Sequence, residues 1–160
     1  IPEMTAGRAP GDVLVKLDFD PYVFSFHNVS THILASELTE QAVREALAAG
    51  HAYVAHDWMA DPTGSKFYAS RGAGQLESLE PLAIMGDEVE AGENLWLNAE
   101  FPVNALIRLL KDGKEITRTR EPVLAHRQPV TEPGVYRVEA WLQVEDEKRL
   151  WVYTNPIYVR

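Results

Sequence analysis

The strongest constraint on the fold is a change of pattern near residue 73, after which strand-length segments follow one another without a helical period. The turn dipeptide Asp112-Gly113 joins two of these segments and is typical of a β-hairpin. The predicted strands span residues 94–100, 105–110, 114–120, 134–144 and 150–158. This spacing predicts an antiparallel, immunoglobulin-like β-sandwich over residues 73–160.

One amphipathic helix precedes this region. Thr39 is a suitable N-cap, and Gly50 can adopt the left-handed conformation that ends a helix. Leu38 and Val43 flank the start of the helix at the spacing of a hydrophobic staple. The sequence therefore predicts a short helix that begins after Thr39 and ends before Gly50.

Apolar segments at residues 31–35 and 51–58 lie on either side of this helix. The order strand, helix, strand predicts one right-handed parallel unit within residues 1–72. Residues 13–19 and 22–26 alternate in polarity and predict two further short strands. The predicted fold class is thus α+β overall, with a domain boundary near residues 70–75.

Composition restricts the function classes. The chain of 160 residues has a net charge of -9 and scattered basic residues, which argues against nucleic acid as a partner. It has no cysteine, so thiolate metal sites and disulfides are excluded, and it has no apolar run of the roughly 20 residues that a membrane span needs. The absence of cysteine fits the cytoplasm or an exported bacterial protein. A start at Ile1 rather than Met predicts processing or excision from a longer chain.

Three of the five histidines lie in the block of residues 31–64. If residues 51–58 form a strand, His51 and Asp57 share a face but lie roughly 20 Å apart, so they cannot bind one metal ion together. Sites of parallel α/β barrels lie at the carboxyl ends of the strands, which favours His56 and Asp57 as metal ligands. His32 lies near the start of its segment, the wrong end for such a site.

A second candidate surface lies on the predicted strand at residues 134–144. Tyr136 should face the core and resembles the tyrosine corner of immunoglobulin-like domains, whose hydroxyl bonds to an upstream backbone group. The opposite face carries Arg137, Glu139, Trp141 and Gln143. An exposed Trp141 between charges indicates either a carbohydrate-binding platform or a surface that docks against another domain, and the composition favours docking.

The order of short motifs resembles the closing part of a PHP-domain protein, a family named for polymerase and histidinol phosphatase. Two of the motifs are Gly50-His51-Ala52-Tyr53-Val54 and Asp61-Pro62-Thr63-Gly64. The others lie at residues 20–22, 30–35, 37–39, 42–47, 57–58, 85–88, 133–139 and 155–160. The resemblance implies the end of a distorted barrel that holds two or three divalent metal ions and hydrolyses phosphoesters.

The chain departs from this family at its first metal-binding motif, because it contains no His-x-His pair. The resemblance therefore implies the carboxy-terminal part of a phosphoesterase, inactive as this isolated chain, whose partner is the missing barrel portion or a second copy of the chain. Homo-oligomers are expected if a half-barrel is exposed. The alternative is a non-catalytic immunoglobulin-like module that binds carbohydrate or protein through Arg137, Glu139 and Trp141.

Overall fold

The structure is a computed structural model, and it describes residues 28–72 and 80–160 together with positions 7, 9 and 22. Within residues 28–72 and 80–160 the structure has one helix, α1 (Glu40–Ala49). Its strands are β1 (Ser30–Ile33), β2 (Ala52–Ala55), β3 (Lys66–Arg71), β4 (Ala83–Ile84), β5 (Glu88–Val89), β6 (Leu95–Lys111), β7 (Lys114–Arg118), β8 (Val123–Pro129), β9 (Gly134–Val144), β10 (Glu147–Thr154) and β11 (Ile157–Val159). The strands predicted at residues 13–19 and 22–26 lie outside the described residues, apart from position 22, which is helical and not extended.

The fold is rich in β-structure and mostly antiparallel, as the sequence predicts at this coarse level. The main hydrogen-bonded path runs β1-β2-β10-β9-β6-β3-β4, with β7 and β8 also pairing with β6. The pair formed by β11 and β5 is parallel. No helix in the described ranges is long and apolar enough to cross a membrane.

Strand β6 connects two regions of the sheet system. Its first half pairs with β3 and β8, and its second half pairs with β7 and β9. The register with β8 shifts between Glu100 and Ala105, where Pro102 supplies no backbone donor to a ladder. The sequence predicts two separate strands here. The chain instead forms one strand of 17 residues with an irregular middle.

One continuous core lies between these strands, and it contains Trp151, Phe67, Ile107 and Ala140. The predicted tyrosine corner is confirmed, because the buried Tyr136 donates its hydroxyl to the backbone oxygen of Glu132 at 2.9 Å. Burial also raises the pKa of Tyr136. Tyr136 is therefore a structural residue.

Both predicted caps of α1 are confirmed. The Thr39 hydroxyl accepts from the backbone N–H of Ala42 at 3.3 Å, and Gly50 ends the helix with φ +76°. The predicted hydrophobic staple is wrong, because Leu38 is 97% exposed and cannot pack on Val43. The helix instead contacts the rest of the protein through small side chains, chiefly the buried Ala42 and Ala46.

The predicted parallel unit is also wrong, because β1 and β2 pair antiparallel. The six residues at 34–39 can extend over roughly 20 Å and the ten-residue helix spans about 15 Å, so the helix can return to the end of β1. The backbone N–H of Leu34 accordingly donates to the oxygen of His51 at 2.8 Å. Strand β2 then starts directly opposite the end of β1.

Half of the proposed boundary at residues 70–75 falls on residues 73–75, which are outside the described ranges, and its first half includes the end of β3. Strands on either side of it pair with each other: β2 with β10, and β3 with β6. The described parts of residues 1–72 and 73–160 therefore share hydrogen-bonded sheets. The division into two domains stays a prediction.

Candidate functional site

Antiparallel pairing brings three polar side chains together at one corner of the sheet. Ser30 lies opposite Ala55 in the register of β1 and β2, and Asp57 is the second residue after the end of β2. The Nε2 atom of His32 lies 3.0 Å from Oδ1 of Asp57, and the Ser30 hydroxyl donates to Oδ2 of the same carboxylate. His32 and Asp57 have side chains that are each 25% exposed, so a ligand can reach them from solvent.

Tyr53 forms the floor of this corner. Its ring stacks on His32 with a centroid distance of 4.8 Å and an interplanar angle of 2°. Its hydroxyl donates to the oxygen of Pro62 at 2.9 Å, and Ser65 donates to the same oxygen at 2.7 Å. Burial raises the pKa of Tyr53 to about 12, so the phenol stays neutral under ordinary conditions. The imidazole of His32 is thus held flat against a fixed aromatic ring.

A further carboxylate contributes to the electrostatics of this corner. Bonds from Thr63 hold the pKa of Asp61 below its usual value, and a favourable charge interaction with His32 acts in the same direction. The backbone N–H of Thr63 donates to Oδ1 of Asp61 at 2.9 Å, so this carboxylate closes the turn that follows the site. The corner therefore favours a cation over an anion.

The three clustered side chains do not form a hydrolytic Ser-His-Asp triad. A triad uses the two ring nitrogens of histidine for two different partners, the acid and the nucleophile. Here Nε2 of His32 faces both Asp57 and Ser30, which lies 3.4 Å away, and the serine hydroxyl is bonded directly to the carboxylate. The geometry therefore gives no route for imidazole to take the serine proton while the acid orients it.

The donor set does fit part of a divalent metal site. A nitrogen and an oxygen that bind one ion at about 2.1 Å lie roughly 3.0–3.4 Å apart, and Nε2 of His32 lies 3.0 Å from Oδ1 of Asp57. Imidazole and carboxylate are ligands that Mn²⁺ and Zn²⁺ accept. Within the described residues, no group of three or more His, Cys, Asp or Glu side chains converges.

The structure separates the two metal ligands that the sequence favours. Asp57 lies in the corner, whereas the ring of His56 lies 6.0 Å from that of Tyr153. His51 pairs with a different carboxylate: its Nε2 atom lies 2.6 Å from Oδ1 of Asp87. Asp57 is therefore brought together with His32 and Ser30 instead of with His56.

Sequence reasoning missed His32 because it placed this residue at the wrong end of a parallel strand, and no sequence pattern marks Ser30 as a site residue. The sequence carries no local signal for the direction of β2, because a two-residue connection with a glycine can join a helix to a strand of either direction. The antiparallel pairing places the start of β1 beside the end of β2.

The second predicted surface is less open than expected. Trp141 is half-buried rather than exposed, and Glu139 is only 6% exposed. The guanidinium of Arg108 lies 5.3 Å from the centre of the Trp141 ring, and Arg137 pairs with Glu139 at 2.7 Å. The side chains of Arg108 from the neighbouring strand β6 and of Arg137 from β9 itself therefore cover part of this face.

Searches with this sequence and structure found no matching family model, curated protein or solved structure.

Proposed function

We propose that this chain is the carboxy-terminal part of a PHP-type metal-dependent phosphoesterase, in which His32 and Asp57 provide two ligands of a divalent metal centre. The single observation that carries the proposal is the 3.0 Å approach of Nε2 of His32 to Oδ1 of Asp57 at the rim of the sheet. The motif order that resembles the PHP family supplies the reaction class. The remaining ligands would come from outside the described residues.

The contact between His32 and Asp57, and not the order of the strands, supports the proposed metal site. The antiparallel pairing of β1 and β2 departs from the parallel barrel unit that the resemblance implies for residues 1–72. An immunoglobulin-like sandwich in residues 73–160 is supported by the confirmed tyrosine corner and by the predominance of antiparallel pairs.

A bound divalent ion would lower the pKa of a coordinated water and polarise the phosphoryl oxygens. The residues of this chain hold the ligands in place. Tyr53 fixes the plane of the His32 ring by stacking, and the Ser30 hydroxyl fixes the second oxygen of Asp57.

Metal titration of matched variants tests this proposal. His32→Phe keeps the aromatic stack on Tyr53 but removes the nitrogen ligand, and Asp57→Asn keeps the shape of the side chain but removes its charge. We expect each change to weaken Mn²⁺ binding, measured by calorimetry and by electron paramagnetic resonance, by about tenfold or more. The control is His56→Phe, which alters a neighbouring histidine outside the cluster and should leave the affinity within about twofold.

The outcomes separate the site from the activity. Unchanged Mn²⁺ affinity in both His32→Phe and Asp57→Asn would overturn the proposed ligands. The isolated chain should not hydrolyse bis-p-nitrophenyl phosphate, because its sequence lacks the His-x-His pair of the family and two ligands among the described residues make an incomplete centre. Retention of two or more ions with phosphoesterase turnover by the 160-residue chain would contradict the partial site.

A further inference from the structure

The outer face of the main sheet carries a cleft that the proposed metal site does not use. Ala140 lies in the core, paired with Ile107 and Val152, so the neighbouring Trp141 points to the other side of the sheet. The first of two adjoining cavities, of about 640 Å³, lies on that side, and the second, of about 570 Å³, extends from it to side chains that pack against the core. Their shared wall is formed by Leu106, Arg120, Trp141 and Lys148.

The first cavity is cationic in a protein whose net charge is -9. Four of its lining side chains are Arg or Lys, and none is acidic: they are Arg108, Arg118, Arg120 and Lys148. Glu115 bonds to Arg108 at 2.5 Å and to Arg118 at 2.7 Å, so these two guanidinium groups already have a carboxylate partner.

Arg120 and Lys148 are different, because neither has an ion-pair partner among the residues that the structure describes. Both side chains are exposed, and both line the two cavities. Two unpaired cations at the mouth of a cleft attract an anion and can donate charge-assisted hydrogen bonds to it.

The second cavity is mainly apolar. Apart from the shared residues, its walls include Met59, Val103, Pro122 and Leu142, although Glu121 also lines it. The carboxylate of Glu121 disfavours an anionic group at that end. A ligand that fits both cavities therefore has an anionic head beside Arg120 and Lys148 and an apolar body beyond the Trp141 ring.

We propose that this cleft is a binding site for a small amphiphilic organic anion, whose acidic head is held by Arg120 and Lys148 and whose apolar ring packs beside Trp141. The size of each cavity falls in the range of about 300–1,000 Å³ typical of small-molecule sites. The proposal does not rest on the proposed phosphoesterase function, because Arg120 and Lys148 take no part in the contacts of His32 and Asp57.

A pair of probes that differ in charge tests this assignment. 1-Naphthalenesulfonate supplies the acidic head and the apolar ring, and 1-naphthalenemethanol supplies the ring alone. Binding to the full chain is measured by calorimetry and by the shift of the Trp141 indole N–H signal, which is identified by its loss in Trp141→Phe. We expect the sulfonate to bind at least tenfold more tightly than the alcohol, and its affinity to fall as NaCl is raised.

Variants locate the head group. Arg120→Gln/Lys148→Gln should weaken sulfonate binding about tenfold or more and leave binding of the alcohol unchanged. The control Lys66→Gln/Lys114→Gln removes the same charge from residues that line neither cavity and should retain the wild-type affinity. All four side chains are exposed, so both double variants should fold.

Three results would overturn the proposal. These are equal affinity for the two probes, an affinity within twofold of wild type in Arg120→Gln/Lys148→Gln, and a response at a tryptophan other than Trp141. Displacement of the sulfonate probe by an equal concentration of sodium sulfate would also overturn it, since the apolar body would then contribute nothing.

Discussion

Two histidine–aspartate pairs in this protein have nearly the same contact but different surroundings. Nε2 of His32 faces Oδ1 of Asp57, and Nε2 of His51 faces Oδ1 of Asp87. The second oxygen of Asp87 accepts the backbone N–H of Ile84 at 2.9 Å, so this carboxylate closes a turn. Among the described residues, the hydroxyl of Ser30 is the one donor to the second oxygen of Asp57.

This difference separates a structural pair from a candidate site. A carboxylate that satisfies a backbone donor cannot exchange its partners without disturbing the fold. The partners of Asp57 are side chains alone, which can rotate away when a ligand binds. The predicted effects below test whether His51 with Asp87 serves stability and His32 with Asp57 serves binding.

The largest effect should come from the turn that positions Asp87. Gly86 has φ +102°, and a Cβ at this position would lie 2.4 Å from the backbone oxygen of Ala49 and 2.6 Å from the carbonyl carbon of Gly50. Both obstacles are backbone atoms and cannot rotate away. We expect Gly86→Ala to lower the free energy of unfolding by about 3 kcal/mol, measured by urea denaturation.

Gly64→Ala is the matched control for this change. Gly64 has φ +92°, but a Cβ there would meet nothing within 4 Å. Only backbone strain applies, so the cost should be about 1 kcal/mol. Equal losses in the two variants would show that the close approach of Gly86 to the end of α1 contributes little.

The next effect compares the two carboxylates directly. Asp87→Ala leaves the backbone N–H of Ile84 and the His51 ring without their acceptor and should cost about 1–2 kcal/mol of unfolding free energy. Asp57→Ala removes contacts to side chains only and should change stability by less than about 0.5 kcal/mol. Thermal and urea unfolding of both variants at one pH provide the measurement.

The affinity for Mn²⁺ should respond to the same two variants in the opposite order. Asp57→Ala should lose Mn²⁺ affinity, and Asp87→Ala should retain the wild-type value if the protein is folded at the assay temperature. If Asp57→Ala proves the more destabilising and Asp87→Ala the more damaging to metal affinity, the roles assigned to the two pairs are reversed.

Much of the local structure could be predicted from the sequence. The caps of α1 at Thr39 and Gly50, and the Tyr136 bond, follow from side-chain chemistry within a few residues. The relative direction of β1 and β2 could not be obtained from apolar periodicity, because a strand has the same pattern in either direction. The direction is fixed by the pairing of β2 with β1 and β10, which joins residues far apart in the chain.

The wrong direction predicted for β1 and β2 also led to the wrong set of site residues. Asp57 was found because it follows an apolar strand, and His32 was rejected only because β1 was assumed to be parallel to β2. The contact between His51 and Asp87 could not be predicted, since it joins residues 36 positions apart across the end of α1. Charged residues at long sequence separation have no periodic signal.

The smallest effect concerns Tyr53, which supports only the first pair by stacking on His32. Tyr53→Phe keeps the ring but loses the bond to Pro62, so the variant should be about 1 kcal/mol less stable near neutral pH. The raised pKa of about 12 means that Tyr53 stabilises the fold below pH 10 and loses this contribution as the pH rises towards 12. The stability difference between Tyr53→Phe and wild type should therefore shrink over that interval in urea titrations.

The control is Tyr158→Phe, which removes a hydroxyl that has no hydrogen bond to a described residue. We expect this variant to change the free energy of unfolding little near neutral pH. A constant difference for Tyr53→Phe would mean that burial of its phenol does not contribute.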